Sequence, residues 1–256
     1  MTIRDAPGTG TAHSVPTLLR TATPPTTTTE DPMPQDTIAR RVDEFNTGFT
    51  AQIGPELSGV FDREQADLRA AGLPDTVLGT GDAVPDAPLL DATGGDTTLR
   101  EVRGDAPTVL VFYRGAWCPY CNLTLRTYKQ ELLPALQERG VRLVAVSPQT
   151  PEGTEQAIAN GELAFPVLSD PENVLAGRFG VVTAPNAEAR AAHTQLGFDV
   201  ADSNADGTAA IPFPSVFVID EDGTVRFADV HVDYTTRTEV ATVLEAVDAL
   251  RVDTTR

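Results

Sequence analysis

Cysteine is nearly absent: the 256-residue chain has two, beside one tryptophan, two methionines and three histidines. A zinc centre built on the cysteines would need two further ligands, yet His13, His193 and His231 lie far apart without paired spacing. Long apolar runs are missing too. No stretch approaches the roughly 20 residues that span a bilayer. The first residues lack the basic and apolar regions of a secretory signal, so the expected location is cytoplasmic and no membrane partner is expected. Positive charge is scarce, with 19 Lys and Arg against 37 Asp and Glu and a formal net charge of -18. Such a surface repels phosphate at long range and disfavours nucleic acid and anionic membrane as partners. What is present is a hydrophobic fraction of 41%, enough for a core in one large domain or two small ones.

Composition divides the chain. Residues 1–35 are rich in Thr, Pro, Gly and Ala and read as a disordered tail without a core to bury. Residues 36–74 read as a helical extension: Ile38, Val42, Phe45 and Phe49 recur at helical spacing, and Leu57, Val60, Phe61 and Leu68 do so again after Pro55. Two amphipathic helices are expected there, packed on the main domain or on a second subunit of a homodimer. Residues 75–256 form that domain. Leu89 and Leu90, the Gly94-Gly95 pair and Thr97 suggest a small hairpin. Residues 141–146 read as a strand, 151–160 as a helix, 165–168 as a short strand, and 171–179 and 188–196 as short helices. Strands at 216–219 and 225–228 are joined by Asp222-Gly223, a strong hairpin signal, and a last helix covers 238–250. The order predicts an α/β fold with a mixed central sheet flanked by helices.

The chemistry concentrates where the two cysteines stand. Residues 109–113, Val-Leu-Val-Phe-Tyr, form an apolar run that predicts a strand covered on both faces; Arg114, Gly115 and Ala116 turn out of it, and a helix is expected over 119–138. Cys118 then falls near the helix N-cap and Pro119 at the first helical position, where a missing N–H costs nothing. Free amides and the positive end of the helix dipole would favour a Cys118 thiolate and make it the nucleophile. Cys121, one turn on, would resolve the mixed disulfide, and Trp117 would shield the sulfur. A C-x-x-C at a strand-to-helix junction reads as a thioredoxin-like redox motif. Two inert core thiols, or a structural disulfide closing a loop too short to remove much chain entropy, are the plain alternatives.

The stretch Phe112-Tyr113-Arg114-Gly115-Ala116-Trp117-Cys118-Pro119-Tyr120-Cys121-Asn122 resembles the signature of the peroxiredoxin-like group in the AhpC/TSA (redoxin) branch of the thioredoxin-fold superfamily. Residues 144–150 (VAVSPQT), 165–170 (FPVLSD), 212–220 (PFPSVFVID) and 229–237 (DVHVDYTTR) are similar to that group as well, and the leading helices look like its N-terminal extension. The resemblance implies a thioredoxin-like fold, with Pro214 as the cis-proline loop lying against the active-site sulfur; Pro212 competes for that role. It implies a thiol redox enzyme cycling Cys118 and Cys121 between dithiol and disulfide. The substrate would be a disulfide or a hydroperoxide, the reductant thioredoxin or a low-molecular-weight thiol, and no bound organic cofactor or metal is required.

The chain departs from the group in informative ways. Aligning Cys121 with the reactive cysteine of peroxidatic members puts Cys118 where they carry a hydroxyl residue and Arg114 where they carry Pro, while Pro214 stands in place of a distant arginine. Those replacements remove the specific stabilisers of a peroxide. Arg114 reads either as an electrostatic substitute or as a solvated turn cation. Thioredoxin's buried Asp has no counterpart in residues 111–113, which leaves Tyr113 or a water to handle the proton. Glutathione use is suggested only by the Cys-Pro-Tyr-Cys tetrapeptide, which resembles glutaredoxins. The run 202–207 matches half a calcium loop, but Phe213 stands where the closing Glu belongs. His231, just after an expected strand, reads either as placed near the sulfur or, as a lone histidine more often is, as a surface residue. The competing class is a non-catalytic binding protein of the same fold.

Overall fold

The computed structural model describes residues 36–253, so the tail expected over 1–35 lies outside the described residues. The chain runs α1 (Ile38–Ala71), the hairpin β1 (Pro88–Leu90) and β2 (Asp96–Thr98), α2 (Leu99–Arg103), β3 (Thr108–Phe112) and α3 (Pro119–Thr127). A π-helical turn, Tyr128–Leu132, leads to α4 (Leu133–Glu138), β4 (Arg142–Ser147), α5 (Pro151–Gly161) and β5 (Val167–Ser169). After a short 3-10 turn come α6 (Val174–Arg178), β6 (Val182–Thr183), α7 (Ala187–Gln195), α8 (Val200–Ser203), β7 (Ile211–Pro212), β8 (Ser215–Ile219), β9 (Val225–Val230) and α9 (Val240–Asp253).

The main sheet has the order β2-β1-β5-β4-β3-β8-β9. Strands β3, β4 and β5 are parallel, whereas β8 pairs antiparallel with β3, β9 with β8 and β1 with β5. The sheet is therefore mixed. Every residue of β3 is buried, and alternation assigns its side chains to two cores. Val109, Val111 and Tyr113 join the cysteines, Leu125 and Tyr128 on one face; Leu110 and Phe112 meet Phe179 and Phe217 on the other. That double burial is why the run is uniformly apolar.

The two expected helices of the extension are the halves of α1. Gly54 breaks the run at φ 78°, ψ 167°, because Pro55 lacks an N–H and disfavours helical backbone in the residue before it. Both amides at the start of α1 are taken by one carboxylate: Glu239 Oε2 accepts from Ile38 N at 2.9 Å and Oε1 from Ala39 N at 2.8 Å. Further along, Arg41 reaches Thr127 and Glu131, Gln65 Oε1 accepts from Tyr234 N at 3.2 Å, and Arg69 pairs with Asp233 at 2.8 Å. The extension is fastened to the domain toward both of its ends.

The expected helix over 119–138 is continuous but widens at Tyr128–Leu132. Pro134 cannot donate to the carbonyl of Gln130 and would collide with it in a regular helix, and the π turn relieves that conflict. The incomplete calcium loop forms α8 and a polar turn, with Asn204 Nδ2 donating to Thr208 O and Ala210 O. Among the described residues no helix is long and apolar enough to cross a membrane, and no cluster of three or more His, Cys, Asp or Glu forms a metal site.

Candidate active site

Between β3 and α3 the backbone must leave the sheet in six residues, with Cys118 at the end of the turn and Cys121 in the first turn of α3. Gly115 makes the turn at φ 148°, and a Cβ there would lie 2.5 Å from Trp117 Nε1, so only glycine fits. Gln149, at the end of β4, accepts from Ala116 N at 2.7 Å, and Asn122 Nδ2 donates to Ala116 O at 2.7 Å. These bonds fix the loop from both sides. Cys118 is the N-cap of α3 and Pro119 its first residue, as the spacing predicts. Both cysteines are free thiols, each about 1% exposed.

The two sulfurs face different spaces. Cys121 borders a void of about 10 Å³, room for one water, walled by Leu125, Tyr128, Ser215, His231 and Arg237. Arg237 Nη2 lies 3.3 Å from Cys121 Sγ, and its Nη1 is anchored on the carbonyls of Tyr234 and Thr236. No carboxylate pairs with Arg237 among the described residues, which leaves the sulfur as its counter-charge. Cys118 instead lines a cleft of about 590 Å³ whose walls include Phe45, Phe49 and Phe61 of α1 together with Trp117, Tyr120 and Tyr234.

This arrangement corrects the expectation of a low Cys118 pKa. Burial, the hydrogen bond with Cys121 and the charge on Cys121 push the Cys118 thiol well up. Burial would also raise Cys121, but the hydrogen bond from Cys118, the charges of Arg237 and Arg114 and the backbone N–H of Arg114 outweigh it and bring that thiol down to about 5. The pair shares one proton, held on Cys118. The helix start alone does not place the thiolate; the hydrogen bond from Cys118 contributes most, with the charges of Arg237 and Arg114 next.

Two further expectations are corrected. Arg114 is no solvated cation: it is 5% exposed, with its guanidinium carbon 4.1 Å from the Tyr234 ring centre and 4.9 Å from that of Trp117. Tyr113 is enclosed, and burial pushes its hydroxyl above the range where it could exchange a proton near neutrality. Pro214 precedes β8, its carbonyl accepts from His231 N at 2.9 Å, and it shares a small void with Arg114 and Glu64. Trp117 stands beside Cys118 as expected, stacked on Phe198 at 5.3 Å.

The sequence reading missed Arg237, Gln149, Asn122 and Tyr234, although all four lie in the stretches that carry the family resemblance. It also missed Glu64, from α1, whose Oε1 accepts from Asn186 N at 3.1 Å and whose carboxyl is pushed up by burial. His231 is held by Thr236 and Thr238 and pairs with Asp229 at 3.2 Å, behind the sulfur rather than on the surface. His193, stacked among Phe61, Trp117 and Phe198, is brought by burial to about 4 and is neutral.

Comparison with known proteins bears on the family and the fold. The model of the AhpC/TSA family matches residues 80–228. Thiol-disulfide oxidoreductase ResA of Geobacillus thermodenitrificans is 30% identical over 111 residues, which is 43% of this chain; the chain spans 62% of that relative's length. The crystal structure of peroxidoxin BcpB from Mycobacterium tuberculosis superposes with a TM-score of 0.52 and 25% identity, covering 68% of this chain and 97% of the other. A peroxiredoxin-like protein from Aquifex aeolicus shares the fold, with a TM-score of 0.54 and 18% identity over 68% of this chain and 88% of its own. With a family model covering more than half of its residues, this chain belongs to the AhpC/TSA family.

Proposed function

We propose that this chain is a thiol redox enzyme that reduces hydroperoxides by cycling Cys118 and Cys121 between dithiol and disulfide. The observation that supports it is the Arg237 guanidinium 3.3 Å from Cys121 Sγ. It supplies from a new place the arginine that the alignment finds missing. The Cys121 thiolate attacks the distal peroxide oxygen, the O–O bond breaks, and water or an alcohol leaves after taking up a proton. The developing oxyanion meets the positive field of Arg114 and Arg237. Cys121 is then a sulfenic acid; the Cys118 thiol attacks its sulfur, the S–S bond forms and water departs. A thiol reductant, thioredoxin or a small thiol, restores the pair.

A second reading, exchange with disulfides, is favoured by one observation: Cys118 alone of the two sulfurs borders the cleft. There Cys118 attacks and Cys121 resolves, the order the sequence suggests. Reduced protein is mixed with hydrogen peroxide or a small disulfide while the fluorescence of Trp117, the sole tryptophan, is followed. With peroxide, Cys118→Ser should still accumulate sulfenic acid at Cys121, trapped by a dimedone-type reagent, and Cys121→Ser should not. Equal trapping at Cys118 in Cys121→Ser would reverse the roles. Silence toward peroxide with rapid disulfide exchange would select the second reading.

A further inference from the structure

We propose that the thiol reducing the Cys118–Cys121 disulfide is a low-molecular-weight thiol bearing a carboxylate, bound in the cleft under α1, and that α1 keeps protein dithiols away from Cys118. The inference rests on the redox reading above and names its reductant.

Three observations carry it. First, a protein that reduces a disulfide must bring its own cysteine sulfur to the attacked sulfur on a complementary surface, up to about 600 Å² on each side even for a transient redox encounter. Cys118 is 1% exposed, and α1 stands over it as a wall. Asn46 Oδ1 accepts from Tyr120 Oη at 2.6 Å, the Phe45 ring meets Tyr120 edge-on at 5.3 Å, and Phe61 stacks on His193 at 5.2 Å. Second, the space that remains, about 590 Å³, falls within the range of roughly 300–1,000 Å³ that holds small ligands. Third, Arg114 lines this cleft, and among the described residues its guanidinium makes no hydrogen bond or ion pair, contacting only the faces of Tyr234 and Trp117. A buried guanidinium with all its donors free is a fitted partner for a planar carboxylate. Glu64, beside the same small void, bonds the amide of Asn186 through Oε1 only; its Oε2 has no partner and feels the charge of Arg114 without pairing to it. The aromatic walls cover the thiol's carbon skeleton.

The step balances without another reagent. The thiolate of the incoming thiol attacks Cys118 Sγ, the Cys118–Cys121 bond breaks, and its electron pair leaves on Cys121, where Arg237 receives the charge. A second thiol attacks the mixed disulfide, the oxidised small disulfide departs, and Cys118 recovers its proton.

The test uses wild-type protein first converted to its disulfide by hydrogen peroxide and checked by mass. Reduction is followed through Trp117 fluorescence with glutathione, glutathione diethyl ester, or reduced thioredoxin at equal thiol concentration. Glutathione should be about tenfold faster than its ester, the worth of one charge-assisted hydrogen bond, and faster than thioredoxin. Arg114→Gln should abolish the preference for glutathione over the ester, and Arg114→Lys should restore part of it; the ratio cancels any effect on the sulfur itself. Opening the wall with Phe49→Ala and Phe61→Ala should raise the thioredoxin rate. Faster reduction of the wild type by thioredoxin, or equal rates with glutathione and its ester, would overturn the inference while leaving the redox reading intact. If peroxide forms no disulfide at all, that reading falls and the inference with it.

Discussion

Cys118 and Cys121 stand one helical turn apart on α3, yet their surroundings have little in common. Cys121 is packed between helix and sheet, beside a space for one water and a guanidinium without a carboxylate. Cys118 is equally hidden from bulk solvent but borders a ligand-sized cleft built largely by α1. Charge is thus assigned to one sulfur and access to the other. A thiolate in an enclosed, cationic pocket is stabilised without being exposed to every electrophile, and whatever reacts must first enter past its protonated neighbour. The two regions also differ in how they are held. The Cys121 side is close-packed core; the Cys118 side is a clasp of helix caps, ion pairs and ring contacts.

The largest expected effect separates these two kinds of construction. Leu125 is 1% exposed and walls the Cys121 void, so Leu125→Ala should lower unfolding stability by about 2–5 kcal/mol. Phe49, half-buried against a cleft that is already open, should lose less than about 1 kcal/mol as Phe49→Ala, because little new cavity is made. Urea midpoints measure both, and equal losses would mean that the cleft is packed as tightly as the core.

Next in size is the charge assignment itself. With its pKa brought down to about 5, Cys121 should be alkylated at a rate that is flat above neutrality and falls as pH drops through that value. Arg237→Gln removes the nearest cation, and its loss should move the midpoint upward by about 1–2 units. At pH 6 the rate should then drop about two- to tenfold, with little change at pH 9. A profile unmoved by Arg237→Gln would show that the Cys118 hydrogen bond alone holds the thiolate.

Which half of the site is legible in sequence follows from the range of its contacts. The strand, the turn and Cys118 at the helix cap are local, written in consecutive residues: an apolar β run, a glycine where a Cβ would collide, and a proline at the first helical position. The β8–β9 hairpin is legible for the same reason, with Gly223 at φ 81° in the turn. The thiolate's position is not local. Beyond the Cys118 hydrogen bond, it depends on Arg237, which approaches from beyond β9, and residues 229–237 mark the family without indicating which side chain turns inward. Arg114 misleads because a charged residue in a turn is ordinarily solvated, and only the facing rings of Tyr234 and Trp117 reveal otherwise. The amphipathic repeat of α1 shows that it packs, but not that it packs over a reactive sulfur.

The clasp offers a smaller effect. Glu239 accepts from the amides of both Ile38 and Ala39, a second cap supplied from α9's approach beside the helix's own Thr37 cap. Glu239→Ala should cost about 1 kcal/mol of local stability. Amide hydrogen exchange should quicken through the first half of α1 while β3 stays protected. If β3 loosens equally, the extension and the sheet unfold as one unit and the contrast between clasp and core disappears.

The smallest effect is expected at the other end of α1. Arg69 and Asp233 are 2.8 Å apart, with side chains 54% and 27% exposed, so the pair trades hydration for a screened attraction. Arg69→Ala should change stability by no more than about 0.5 kcal/mol at low salt. In 1 M salt, where the screening length is about 3 Å, the difference from wild type should vanish. A larger loss that persists in salt would mean that Arg69 holds α1 through packing of its stem. In that case the second half of the extension would owe its position to contacts like those of the core, and the two sides of the cysteine pair would be less unlike than their charges suggest.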